Sequence, residues 1–328
     1  MNSKQQNTNQ KAATRDGFGQ GMLELAEQNP NVFALCADLT ESMRLNQFKD
    51  KFPNRFIQVG VAEQNLIGVA AGLALAGKIP FAASFAVFSP GRSWDQIRVS
   101  VAYGKLNVKI VGGHAGLVTG PDGASHQALE DIAIMRALPN MKVVEPADSF
   151  QATQAVHALT NDQGPAYLRL TRPKLPTITQ NLKFTIGKSQ TLHPGNNATI
   201  IACGTMIHEA LMAAQKLATE NISVRVINMH TIKPLDTKVI IKAAQETKVV
   251  ITAEDHQIHG GLGSAVAEVL SKNINQSIKN EIKFAMVGVE NTFGESGSPQ
   301  ELKAKYGLTS HNLMSKVKEL LSCQKASN

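Results

Sequence analysis

At 328 residues, with 43 % hydrophobic and 18 % charged side chains, the chain suits about two folded domains and is too apolar for a disordered or collagen-like polypeptide. Lys and Arg number 33 against 26 Asp and Glu, a net charge of +7, yet no basic run and no basic–aromatic interleaving marks a nucleic-acid surface. Small anionic substrates are therefore the expected partners, with no nucleic acid and no membrane.

Residues 1–11 are polar, rich in Asn and Gln, and lack the apolar core of a signal peptide, so a frayed tail is expected. Residues 16–28 read as a helix and 32–37 as a buried strand, followed by a second short strand at 56–59. A helix at 62–76 carries Gly68 and Gly72 one turn apart, a spacing that lets another backbone approach closely. Its apolar run, 66–77, is too short for the roughly 20 residues of a membrane span. Further strands are expected at 81–83, 108–111, 142–144 and 166–170. Residues 172–190, with Pro173 and Pro176 and no helical period, read as a linker. Beyond it come strands at 198–202, 224–228, 249–253 and 284–287, with helices at 208–219 and 235–246. Short apolar strands alternating with helices predict an α/β chain of two doubly wound, mostly parallel domains. Cys36, Cys203 and Cys323 match neither a disulfide framework nor a zinc spacing, which points to a reducing cytoplasm.

Three segments carry candidate chemistry. In residues 56–77, Glu63 is the only charged side chain, placed where a strand gives way to a Gly- and Ala-rich helix. A lone buried carboxylate has its pKa raised by desolvation and suits proton exchange with a heteroaromatic ring; the plainer reading is a helix-start carboxylate near backbone amides. In AASFAVFSPGRSWDQIR, residues 82–98, Phe85 and Phe88 follow a strand, where open α/β folds bind ligands and aromatics sandwich flat rings. Core packing is the alternative for both, and Arg92 and Arg98 then become surface charges. The loop GGHAGLVTGPDGASHQALED, residues 112–131, is long and glycine-rich, and brings His114, Asp122, Ser125 and His126 within reach of a polyhydroxylated substrate. Imidazoles there are expected to trade protons with sugar hydroxyls near neutral pH, unless the loop's Asp and Ser only cap the next helix. Asp38, Thr40 and Ser42 follow a strand, and Arg172 is placed to grip a phosphate. GGLG at 260–263, after Glu254 and Asp255, does not match a dinucleotide fingerprint and reads as structural.

Taken in order, ATR (13–15), ADLTES (37–42), RFIQVGVAEQN (55–65), SFAVFSPGRSWDQIR (84–98), GPDGASHQALEDIA (120–133), LRLTRP (168–173), TIKPLD (231–236) and EDHQIHGGLG (254–263) resemble the C-terminal half of transketolase. The resemblance covers nearly the whole chain. It implies a disordered tail at 1–10, a thiamine-diphosphate-binding pyrimidine domain at 11–172, a linker at 173–190 and a smaller C-terminal α/β domain at 191–328. Glu63 matches the glutamate that hydrogen-bonds the cofactor's aminopyrimidine, and Phe85 and Phe88 match the aromatics packing on that ring. His126 matches a histidine aiding proton transfer at the substrate carbonyl, and His114 and Asp122 match residues contacting donor-sugar hydroxyls. Arg15, Ser42 and Arg172 match a phosphate grip, and Asp38 an acidic residue near the cofactor.

Full-length transketolases also carry a GDG…N stretch that holds Mg²⁺ and the diphosphate. Gly-Asp-Gly does not occur in this sequence, and about a dozen residues precede the first domain. The resemblance therefore implies the separate second subunit of a split transketolase, active on sugar phosphates only with an N-terminal partner chain, as a two-plus-two heterotetramer in the cytoplasm. Two related alternatives are the beta subunit of 2-oxo acid dehydrogenases, which lacks the GPDGASHQALED pattern, and a deoxyxylulose phosphate synthase. A non-catalytic partner subunit that kept the fold is the third.

Overall fold

The computed structural model describes residues 11–247, 249–274, 276–278 and 281–322. The tail expected at 1–10 and Cys323 lie outside the described residues. The first half contains strands β1 (Lys11–Ala12), β2 (Val32–Cys36), β3 (Phe56–Gln58), β4 (Ile79–Phe85), β5 (Lys109–Gly113), β6 (Lys142–Val144), β7 (Ala166–Arg169) and β8 (Leu175–Pro176). The second half adds β9 (Gln190–His193), β10 (Ala198–Ala202), β11 (Val224–Asn228), β12 (Thr231–Lys233), β13 (Val249–Gln257) and β14 (Lys283–Val289).

Two sheets result. Seven strands run in the order β12-β6-β7-β5-β4-β2-β3, and five in the order β14-β13-β10-β11-β9. Every pairing within them is parallel except the edge pairs β12 with β6 and β11 with β9. The inner strands β5 and β10 are buried along their whole length, as parallel strands covered by helices on both faces must be. The chain is thus an α/β fold with mostly parallel sheets, as its alternating pattern predicts.

Four short strands escape the pattern, the first of them β1, whose Lys11 reads as the end of the frayed tail. β8 lies in the stretch read as a linker and pairs antiparallel with β1. β9 begins at Gln190 and closes the second sheet's edge. β12, from the TIKPLD motif, leaves the second half to add an antiparallel edge to the first sheet. These strands lie at sheet edges and carry no run of apolar residues between helical segments, so their pairing partners reveal them.

A buried charge cluster joins the sheets. Arg169, fully buried on β7, donates through Nε to Asp131 Oδ2 at 2.8 Å and through Nη1 to Glu145 Oε1 at 2.6 Å. Its Nη2 reaches the carbonyls of Ala128 at 3.1 Å and of Asp255, on β13, at 2.9 Å. Tyr167 donates its hydroxyl to Asp131 Oδ2 at 2.7 Å. A guanidinium with this many partners offsets its desolvation, so the core remains continuous from one sheet to the other. The GGLG segment is structural, as its spacing suggested. Glu254 accepts from the Leu262 and Gly263 amides at 2.7 Å each and caps the helix Leu262–Asn273. Burial raises Glu254 to a pKa of about 7.

Candidate functional site

The first sheet's carboxyl edge collects most of the candidate residues. β4 ends at Phe85, β5 runs into His114, and β7 leads through Leu170 to Arg172. Helix N-termini face the same edge: Arg15 is the second residue of Thr14–Gln28, and Glu63 opens Glu63–Leu75. Parallel strands flanked by helices place these ends together, where open α/β sheets bind ligands.

Glu63 is 3 % exposed. Its place in the first helical turn sets the carboxylate at the positive end of the helix dipole. It is not a lone carboxylate, and this corrects the sequence expectation. Arg92 Nη1 donates to Glu63 Oε2 at 3.2 Å, and Ser84 Oγ, on β4, lies 3.5 Å from Oε1. Arg92, a surface charge only on the core-packing alternative, also lies with its guanidinium 4.3 Å over the Phe88 ring. The local backbone explains the meeting: turns in which Phe88 N bonds to Phe85 O and Arg92 N to Phe88 O bring these three side chains to one side. The spacing Phe88-x-x-x-Arg92 was the available signal.

Phe85 and Phe88 stack at 5.9 Å with planes 18° apart. Phe85 is 7 % exposed and Phe88 partly exposed, so the pair forms a shelf whose outer ring meets solvent. The His114 ring lies 3.9 Å from Phe85, and His126 meets Phe88 edge-on at 5.2 Å. His126 also shares a 2.9 Å hydrogen bond between Nδ1 and Ser125 Oγ.

His114 adopts φ +54°, with its ring buried. Arg15 Nη1 donates to His114 Nε2 at 3.0 Å and to the Ser42 carbonyl at 3.1 Å. Because a guanidinium has only donors, Nε2 must be the accepting nitrogen, and the proton sits on Nδ1, which is buried with no partner among the described residues. Burial, and then the charges of Arg15, Arg172, Arg44 and His126, push the His114 pKa down to about 3. The expectation that this imidazole trades protons near neutral pH is therefore corrected: His114 is a fixed neutral ring that offers one N–H.

Arg172 Nη1 donates to Asp122 Oδ1 and to the Thr119 carbonyl, both at 3.2 Å. Ser42 enters the group through its carbonyl. Asp38 stands outside the cluster that Glu63, Phe85, His114 and Arg15 form. It is exposed with φ +59°, and its amide donates to Gln58 Oε1 at 2.7 Å. The sequence reading gave no role to Ser84 or Gln58, each defined by a partner 20 or 21 positions away, and did not pair Arg92 with Glu63.

The family model described as transketolase, pyrimidine binding domain, matches residues 10–177, and that described as transketolase, C-terminal domain, matches residues 187–313. A putative transketolase C-terminal section of Methanocaldococcus jannaschii is 45 % identical over 309 residues, spanning 93 % of this chain and 95 % of its own length. A 6-deoxy-6-sulfo-D-fructose transketolase subunit of Clostridium sp. is 42 % identical over 307 residues, spanning 93 % of this chain and 94 % of that one. Among solved structures, a split gene transketolase described as an inactive beta4 tetramer superposes with a TM-score of 0.87 at 46 % identity, covering 94 % of this chain and 98 % of that chain.

Proposed function

The chain belongs to the transketolase family, and from that premise we propose that it is the pyrimidine-holding subunit of a two-chain transketolase, moving a two-carbon ketol unit from a ketose phosphate to an aldose phosphate. The observation that carries the reading is the buried Glu63 carboxylate joined through Arg92 to the Phe85–Phe88 shelf. The side chains fit the aminopyrimidine of thiamine diphosphate. A planar N–H donor, the Arg92 guanidinium, already satisfies Glu63 Oε2 while lying on Phe88, and an aminopyrimidine offers the same combination of N–H and flat face.

Thiamine diphosphate, when bound, supplies the electron sink that cleavage of a carbon–carbon bond beside a ketone requires. Glu63 holds a proton at the cofactor's ring nitrogen, and Phe85 and Phe88 exclude water from the ring's apolar face. His114 donates its Nδ1–H to a sugar hydroxyl without changing charge. His126, partly exposed at the rim, moves the proton at the substrate carbonyl oxygen. Arg15 and Arg172 grip the substrate phosphate, and Asp122 orients Arg172 while meeting a hydroxyl.

Mg²⁺ and the diphosphate are held mainly by a partner chain that carries the GDG…N stretch. The helix that opens with Glu63 supports this division. Its outward face presents Gln64, Asn65, Gly68, Gly72 and Leu75, and a Cβ built at Gly68 or Gly72 meets nothing within 4 Å. Val61 and Leu75 are 71 % and 75 % exposed, and the nearby Tyr103 is 87 % exposed. An uncharged, glycine-bearing face with Val61, Leu75 and Tyr103 exposed on or near it, beside a binding site, suits assembly into a heterotetramer whose cofactor lies between chains. Among the described residues no helix is long and apolar enough to cross a membrane; Cys36 and Cys203 are free and buried, in keeping with a cytoplasmic setting.

The test is turnover of xylulose 5-phosphate with an aldose phosphate, thiamine diphosphate and Mg²⁺. The chain alone is expected to be silent and the mixture with its GDG-bearing partner active. Turnover by the chain alone overturns the two-chain reading, and pyruvate-dependent turnover in place of ketol transfer overturns the reaction.

A further inference from the structure

The loop after β5 carries three of the proposed substrate residues, His114, Asp122 and His126, on an irregular backbone. His114, Gly116, Gly120 and Gly123 hold φ of +54°, +81°, +82° and +75°. The loop makes bonds of its own, such as Gly116 N to Ala128 O at 2.9 Å and Thr119 N to Gly116 O at 3.2 Å, but Leu117 and Val118 open a short 3-10 helix, Leu117–Asp122, so their buried amides must be met from outside it.

The second half of the chain meets them. Asp255, at the far end of β13 and 1 % exposed, accepts from Leu117 N through Oδ1 at 2.9 Å and from Val118 N through Oδ2 at 3.4 Å. A Cβ on Gly116 would lie 2.2 Å from Asp255 Oδ2, so the loop passes against the carboxylate with no room for a side chain. Gln127 ties down the loop's other end, its Nε2 donating to the carbonyls of Gly120 at 3.2 Å and Glu295 at 2.9 Å. Asp255 is itself immobilised, because its own carbonyl accepts from Arg169 Nη2 inside the buried charge cluster.

We propose that Asp255 is a positioning residue, which clamps the 117–118 amides to the second sheet so that His114 and Asp122 meet the substrate in a single geometry. The proposal rests on the reading of this loop as substrate-binding given above. Asp255 touches no substrate in this account; it acts through the loop. A buried carboxylate is a costly way to satisfy two amides, and fixing both amides at once is what a single neutral acceptor does less well. The clamp gives the C-terminal half of the chain a part in recognition at a site whose side chains all come from the first half.

The test uses the assembled two-chain enzyme with Asp255→Asn, which keeps one acceptor and turns an NH₂ toward the other amide, and with Gln127→Met, which keeps the volume and removes the loop ties. Asp148→Asn is the control. That carboxylate is equally buried and accepts from the Gln151, Ile178 and Thr179 amides, away from the loop. Amide exchange at Leu117 and Val118 is expected to speed up in Asp255→Asn. The KM for the ketose phosphate is expected to rise about tenfold or more, while thiamine diphosphate affinity stays within about twofold. Asp148→Asn should lower Tm and leave that KM alone. Gln127→Met should shift the KM in the same direction, and it carries the test if Asp255→Asn does not fold. A folded Asp255→Asn enzyme with unaltered exchange, or with lowered Tm but unaltered KM and kcat, overturns the proposal. If the wild-type assembly transfers no ketol unit, the functional reading fails, and exchange at Leu117 and Val118 alone decides the clamp.

Discussion

Arg92 and Glu63 form an ion pair of unequal burial: the guanidinium Nη1 stands 3.2 Å from the carboxylate Oε2, with side chains 53 % and 3 % exposed. A pair whose cation faces water contributes on the order of 0–1 kcal/mol, so the cation leaves at little cost. The carboxylate cannot leave; it is set by the start of its helix. Glu63 is therefore a fixed acceptor with an exchangeable partner, which suits a group that must accept from an incoming ring N–H.

Glu63→Ala should fold and yet lose turnover in the assembled enzyme by about 10²-fold or more, the lower range for removal of a positioned proton-transfer group. Weakened thiamine diphosphate binding should accompany the loss. Steady-state kinetics, cofactor titration and a melting curve on the same preparation check this. A folded mutant with near-normal turnover would remove the assignment.

Arg15 and Arg172 should matter chiefly for phosphorylated substrates. Losing one charge-assisted contact costs about 1.5–3 kcal/mol, so Arg172→Ala should raise the KM for a ketose phosphate roughly 10- to 100-fold while changing that for the unphosphorylated ketose little. Equal effects on both substrates would mean that the side chain holds the loop through Asp122 and Thr119 instead.

The exposed face of the Glu63–Leu75 helix should tolerate larger residues in the isolated chain and not in the assembly. Gly72→Leu finds open space in this chain, and replacing a mid-helix glycine is expected to stabilise by roughly 0.5–1 kcal/mol. Sedimentation and melting measurements should show an unchanged or raised Tm together with lost assembly. A mutant that still assembles would place the interface elsewhere.

Stability should fall with acid. Burial pushes His114 to about 3 and both His230 and His256 to about 4, from an ordinary value of 6.5. A depressed folded pKa contributes stability present above 6.5, which is lost as pH falls toward 4, because only the unfolded chain takes the proton. Glu254, raised to about 7, works the other way between 4.5 and 7 and offsets part of the loss. Each histidine should account for about 2 kcal/mol between pH 7 and 5, so His230→Gln should flatten the decline of Tm over that range by one histidine's share. An unchanged slope would contradict the burial argument.

Arg169→Met should be among the most damaging substitutions outside the site. It leaves Asp131 and Glu145 buried without their cation, at a cost of about 3–5 kcal/mol. Denaturant unfolding would register it; a loss below about 1 kcal/mol would mean that water reaches the cluster.

The sequence by itself determined the alternation of strands and helices, the parallel sheets and the cast of polar residues at the strand ends. Those features arise from local periods and from motifs a few residues long, such as the Phe85-x-x-Phe88 spacing and the glycines of the 112–123 loop. Only the tertiary structure decided how these residues are partnered. Glu63 meets Arg92 29 positions on, His114 meets Arg15 99 positions back, and Leu117 meets Asp255 138 positions on. Burial and partnership also decided charge state: a histidine that reads as a proton carrier becomes a neutral donor once it is buried beside the guanidinium groups of Arg15, Arg172 and Arg44. Desolvation and Coulomb interaction act through space, and no local pattern along the chain records which distant segments the fold will bring within 4 Å.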